Sequence, residues 1–243
     1  MSGQPRFLER CYPYIHEFIL KPNGMPDVFA HLWWSEETCD IPYKYGGDGG
    51  WKHQRISPQA PETFRKLYEP KGLCVEPPRK WLLLSASPSA MEGLRSQAAS
   101  EEDSSCDRLV SNNISMWNSI YKANLLRKEY EWANHLRYDW IIRIRTDLEI
   151  YTPVVCAELS AGTFYFSDIG QPEQFVCDWL NVANGSQMDT ACSLWYTFEK
   201  LLETHYSAAT GEKFSNEHML RHKLTDAGIP TVGVKWRVTL PRF

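Results

Sequence analysis

Asp147 and Glu149 stand two residues apart in the stretch YDWIIRIRTDLEIY, residues 138–151, with Arg143 and Arg145 just ahead of them. A D-x-E pair offers hard carboxylate oxygens, the ligand type that suits Mg2+ or Mn2+ while leaving positions open for phosphate oxygens. Neighbouring guanidiniums add planar donor forks that match phosphate. The chemistry on offer is a clamp joining a divalent cation and a diphosphate. The same four charges can instead neutralise one another in a structural network, because buried charges persist only when paired.

A clamp needs a strand to deliver it. In an extended segment Trp140, Ile142 and Ile144 share one face, and Ile141, Arg143, Arg145, Asp147 and Glu149 share the other. Around this stretch, MPDVFAHLWW (25–34) and RKWLLLSAS (79–87) read as strands buried on both faces of a parallel sheet. GTFYFSD (162–168) predicts a further strand and TVGVKWRVTL (231–240) a last, edge strand. Helices are predicted from Ser115, as cap, to about residue 135, over 186–206, and over 214–228 between Ser215 and the Gly228/Pro230 stop. This alternation predicts a single α/β domain over 1–243, its mostly parallel central sheet flanked by helices, with ligands collecting beyond the strands' carboxyl ends. Glycine- and serine-rich stretches predict flexible loops near 43–60 and 88–107.

Composition narrows the partners. With 243 residues, 43% of them apolar, the chain can bury a sizeable core. A net charge of −4 shows no basic excess, which argues against nucleic acid and anionic membrane as partners. No apolar run approaches the roughly 20 residues of a membrane span. Seven cysteines, odd in number and without a CxxC pair, point to free thiols in a reducing, cytoplasmic setting. The sequons at Asn113 and Asn184, with no signal peptide ahead of them, read as chance matches.

Several blocks together resemble one family. SGQPRFLERCYPYIHEFIL, PDVFAHLWW, LYEPK, SMWNSIYKANLLRKEYE, YDWIIRIRTDLEI, DWLNVANGSQMDTACSLW and NEHMLRHKLTDAGI, in that order, are similar to GT-A-type glycosyltransferases of polysaccharide biosynthesis, met in bacterial capsule clusters and giant algal viruses. The resemblance implies a GT-A-like, Rossmann-like domain that moves a sugar from a UDP-, GDP- or dTDP-linked donor to a glycan hydroxyl, with Mn2+ or Mg2+ at the acidic motif. On that reading Asp147 and Glu149 are metal ligands, Glu149 the more direct, and His222 is a further one. Arg6, Arg145 and Asp147 bind the donor, Asp178 is the catalytic base, and Trp51 and Trp179 are acceptor-binding residues. The motif's second acid is Glu rather than the family's Asp, and Trp179–Leu180 replace a Gln-Phe pair. The relatives also carry an apolar strand ahead of SGQPR, where this sequence opens with Met1. Two other functions suit the same residues: a non-catalytic nucleotide- or carbohydrate-binding protein of this fold, and a nucleotidyltransferase.

Overall fold

Residues 138–151 form two short strands rather than the single one expected, separated by a turn at Thr146–Asp147. The computed structural model describes residues 1–44, 51–81, 104–170, 172–206 and 214–241. The elements run β1 (Ser2–Gly3), α1 (Leu8–Ile15), β2 (Phe29–Trp33), β3 (Asp40–Lys44), β4 (Trp51–Arg55), α2 (Ala60–Tyr68), β5 (Gly72–Glu76), α3 (Ser104–Ala133), β6 (Ile141–Ile144), β7 (Glu149–Ile150) and β8 (Phe164–Ser167). They continue with β9 (Leu180–Ala183), α4 (Gly185–Cys192), α5 (Leu194–His205), α6 (Asn216–Asp226), β10 (Thr231–Val234) and β11 (Val238–Thr239).

β1, β2 and β5 make a parallel sheet with β2 in the middle. β10, β8, β9 and β6 make a second, in which β10 is parallel to β8 and β9 runs against both its neighbours. A parallel bridge from Ser2 to Arg145 brings the start of β1 beside the end of β6. The chain therefore leaves β1 toward β2 and β5 on one side and returns to β6 on the other. Such a reversal of strand order opens a crevice at the carboxyl ends of the two strands.

The expected mostly parallel sheet is thus a mixed one. β9 follows β8 with no helix between them, and without a crossover helix the chain can return only antiparallel. Alternation on β8 and β9 divides the core: Phe164, Phe166 and Ala183 pack toward α3–α6, while Tyr165, Leu180 and Val182 pack with α1, α2 and Ile144.

Other expectations are met or corrected locally. The strand expected at 25–34 is β2 and that at 162–168 is β8, while the one expected over 231–240 is divided into β10, at the edge of its sheet, and β11, which turns to β7. Of the strand expected at 79–87, residues 79–81 are irregular and the rest lies outside the described residues; the strand beside β2 is β5, whose mixed sequence GLCVE gives a weaker signal. Within the loop expected at 43–60, the end of β3 and the whole of β4 pair antiparallel, and residues 45–50 lie outside the described residues. The helix expected from Ser115 begins at Ser104, so Ser115 caps nothing, and the loop near 88–107 is helical from 104. The 186–206 helix is broken at Ser193 into α4 and α5. Ser215 caps α6 by accepting from the His218 N–H at 3.2 Å, and Gly228, at φ 65°, ends its turn as expected.

Candidate functional site

β1 ends at Gly3 and β6 at Ile144, and the turns that follow carry Arg6 and Asp147. The Thr146 hydroxyl donates to the Gln4 carbonyl at 2.6 Å, tying the two turns together at the strand crevice. Arg6 Nη2 lies 3.0 Å from Asp147 Oδ2. Arg145 reaches the same carboxylate as a fork, Nε to Oδ1 at 2.8 Å and Nη2 to Oδ2 at 3.1 Å. Burial by itself would push the Asp147 carboxyl up, but the Arg145 and Arg6 charges outweigh it and hold it down at about 2. Next to Arg6, Phe7 takes the left-handed φ of 53°, a strained conformation that costs on the order of 1–3 kcal/mol and that tends to gather at functional sites.

Glu149 is held by a separate set. β7 pairs with β11, and the buried Glu149 carboxylate accepts from Arg10 Nε of α1 at 2.6 Å and from the Tyr151 hydroxyl at 2.8 Å. That hydrogen bond, then burial, pushes the Tyr151 hydroxyl up to about 12. The Cys11 thiol, one residue along α1, also rises to about 12, first through burial and then through the Asp147 and Glu149 charges.

The chain before β9 borders the same turn, since the Arg145 N–H donates to the Trp179 carbonyl at 3.3 Å. Asp178 is buried there. Burial lowers the pKa of the nearby Arg143, and the Asp178 charge opposes this. Burial and then the Asp178 charge raise the pKa of Glu217 on α6. The Asp178 charge is thus felt by both Arg143 and Glu217.

The expected site residues fall into three groups. Arg6, Arg145, Asp147 and Glu149 come together with Asp178 and Trp179 alongside, Trp179 half-buried against both core faces. His222 is not brought to the acidic pair: its ring stacks on His205 at 3.8 Å and meets Tyr206 at 5.8 Å, on the α5/α6 contact. Trp51 opens β4 opposite Lys44, and the structure describes its backbone alone. Arg10 and Tyr151 were missed. Arg10 lies in the same block as Arg6, but only the direction of α1 shows that it points at Glu149.

Carboxylate oxygens are the right donors for Mn2+ or Mg2+, yet in this arrangement they do not fit one. All four oxygens of Asp147 and Glu149 accept from Arg6, Arg145, Arg10 or Tyr151. The described residues contain another ligand group: His31, Cys74 and Glu76, on β2 and β5, offer atoms within 4.8 Å of one another. There the Glu76 carboxylate is already held by Lys122 and the His31 ring. Burial lowers His31 to about 4, against the pull of Glu76.

Comparison of the chain with protein-family models, curated proteins and solved structures gives no match.

Proposed function

We propose that this chain is a glycosyltransferase whose Arg6, Arg10 and Arg145 bind the diphosphate of a nucleotide-sugar donor in the crevice beyond β1 and β6. The observation that carries the reading is the convergence of arginines from two turns and a helix on the buried Asp147 and Glu149, at the place where open α/β sheets bind ligands. The carboxylates hold the guanidiniums in place, and the guanidinium forks present donors to an anion. As the sugar leaves, negative charge grows on the departing nucleoside diphosphate, and fixed cations there stabilise the transition state more than the ground state. Asp178 takes the proton from the attacking hydroxyl, and Trp179 borders the acceptor side. Transfer itself rests on the family resemblance. No step is routed through a metal.

The test is a thermal-shift panel of UDP, GDP and dTDP against the full chain, since a ligand bound only by the native state raises apparent stability. One nucleoside diphosphate should raise Tm by several degrees; no shift with any of them would end the donor-binding reading.

A further inference from the structure

His31, Cys74 and Glu76 carry three different metal-ligating groups, and the parallel register of β2 and β5 gathers them. His31 stands opposite Cys74 and Trp33 opposite Glu76, so all four project from one face of the sheet. That face is the one α3 covers: from it the Ser119 hydroxyl meets His31 and the Lys122 ammonium meets Glu76. The three ligand atoms lie within 4.8 Å of one another. His31 is fully buried, while Cys74 and Glu76 are partly open to solvent, which gives an ion a way in.

The hydrogen bonds here leave an acceptor facing an acceptor. Ser119 accepts from the Gly3 N–H at 3.1 Å and donates its own hydrogen to the His31 carbonyl at 3.2 Å. Its oxygen lies 2.8 Å from His31 Nδ1, so in this arrangement Nδ1 carries the imidazole proton and donates to it. Nε2 is then a lone pair, and it stands 3.3 Å from Glu76 Oε2. Lys122 supplies a positive charge to Oε2, which leaves the Nε2 lone pair still facing oxygen. Glu76 also differs from Asp147 and Glu149 in having an oxygen to spare: among the described residues Oε1 has Arg79 at 3.9 Å, beyond hydrogen-bond reach.

We propose that His31 Nε2, Cys74 Sγ and the Glu76 carboxylate form a Zn2+ site between β2 and β5, with Ser119 orienting the imidazole. A tetrahedral Zn2+ bound at about 2.0–2.3 Å holds its ligand atoms about 3.3–3.7 Å apart, and Nε2 and Oε2 already have that separation. One imidazole, one thiolate and one carboxylate suit Zn2+ better than Mn2+ or Mg2+, which favour oxygen alone. Binding releases the Cys74 thiol proton to solvent. Lys122 is the cation that the ion replaces, since its flexible stem lets the ammonium swing away from Oε2. Three protein ligands leave the fourth position to water or to a ligand oxygen. The inference rests on β2, β5 and α3 and does not depend on the proposed function.

The full chain, stripped of metal with a chelator, is titrated with Co2+, whose bond to a thiolate gives a charge-transfer band in the near ultraviolet, and then with Zn2+. A single Co2+ should bind with that band, and Zn2+ should displace it. Cys74→Ser should abolish the band. Glu76→Gln and Ser119→Ala should each weaken Zn2+ binding roughly tenfold or more, the size expected when a group that orients a metal ligand is lost. Lys122→Met should tighten binding, because the competing ammonium is gone. No band in the wild type, or a band that Cys74→Ser keeps, would overturn the site. Zn2+ affinity unchanged in Glu76→Gln would overturn this ligand set, and weaker binding in Lys122→Met would overturn the displacement. Should the buried Ser119→Ala variant not fold, Cys74→Ser and Glu76→Gln, both at partly exposed positions, decide the matter alone.

Discussion

The guanidinium of Arg6 lies 3.0 Å from the carboxylate of Asp147, joining the turn after the first strand of the sheet to the turn after β6. The contact closes the crevice on which the functional reading depends. It also makes Asp147 the most testable residue in the chain.

Asp147 titrates at about 2 in the folded protein against 3.8 when unperturbed, so folding favours its charged form. A depressed carboxyl contributes stability that is fully present above the unfolded value and is lost as pH falls through the folded one. Between pH 4 and 2 the wild type should lose about 2 kcal/mol from this group, since each pKa unit is worth about 1.4 kcal/mol. Tm against pH checks it: Asp147→Asn should lack that share of the acid loss, and parallel curves would refute the ion-pair assignment.

Replacing Arg6 or Arg145 with Ala should weaken nucleoside diphosphate binding roughly 10- to 100-fold, the size expected for losing charge-assisted hydrogen bonds of about 1.5–3 kcal/mol. Arg6→Lys should recover part of the loss, because it keeps the charge but not the fork. Calorimetric titration measures this; unaltered affinity in both Ala variants would move the diphosphate elsewhere.

Because three guanidiniums already occupy the acidic pair, adding Mn2+ or EDTA should change nucleoside diphosphate affinity by no more than about twofold, well under the tenfold that 1.4 kcal/mol represents. A strict metal requirement would mean that the arginines give way to a cation, restoring the expectation drawn from the D-x-E motif.

Asp178→Asn should abolish sugar transfer while leaving donor affinity within about threefold, since the amide keeps the shape and removes the proton acceptor. Turnover unchanged in this variant would remove Asp178 from the chemistry. Donor binding with no transfer in the wild type, across donors and acceptors, would favour a non-catalytic binding protein.

His222→Ala should leave donor affinity unchanged and lower Tm by a few degrees, because the ring packs on His205 and Tyr206. Lost donor binding would mean that His222 itself acts at the crevice, against its packing on His205 and Tyr206.

Much of this was legible from local patterns. An apolar run placed β2, period-two alternation placed β6, and the Ser215 cap and Gly228 stop bounded α6, because those signals depend on residues close in sequence. Arg145, Asp147 and Glu149 were visible as charges too dense for a core strand. The break between β6 and β7 was not visible, because it is set by pairing: β6 lies against β9 while Glu149–Ile150 turns away to β11.

What the sequence determined alone was the inventory: a buried strand ending in alternating arginines and carboxylates, and the helices and strands able to hold it. Only the tertiary structure decided the partners. Arg6, Arg10 and Tyr151 reach the acidic pair, and His222 does not, because such contacts depend on which elements the sheet order and the turns bring side by side. Spacing along the chain does not encode that juxtaposition.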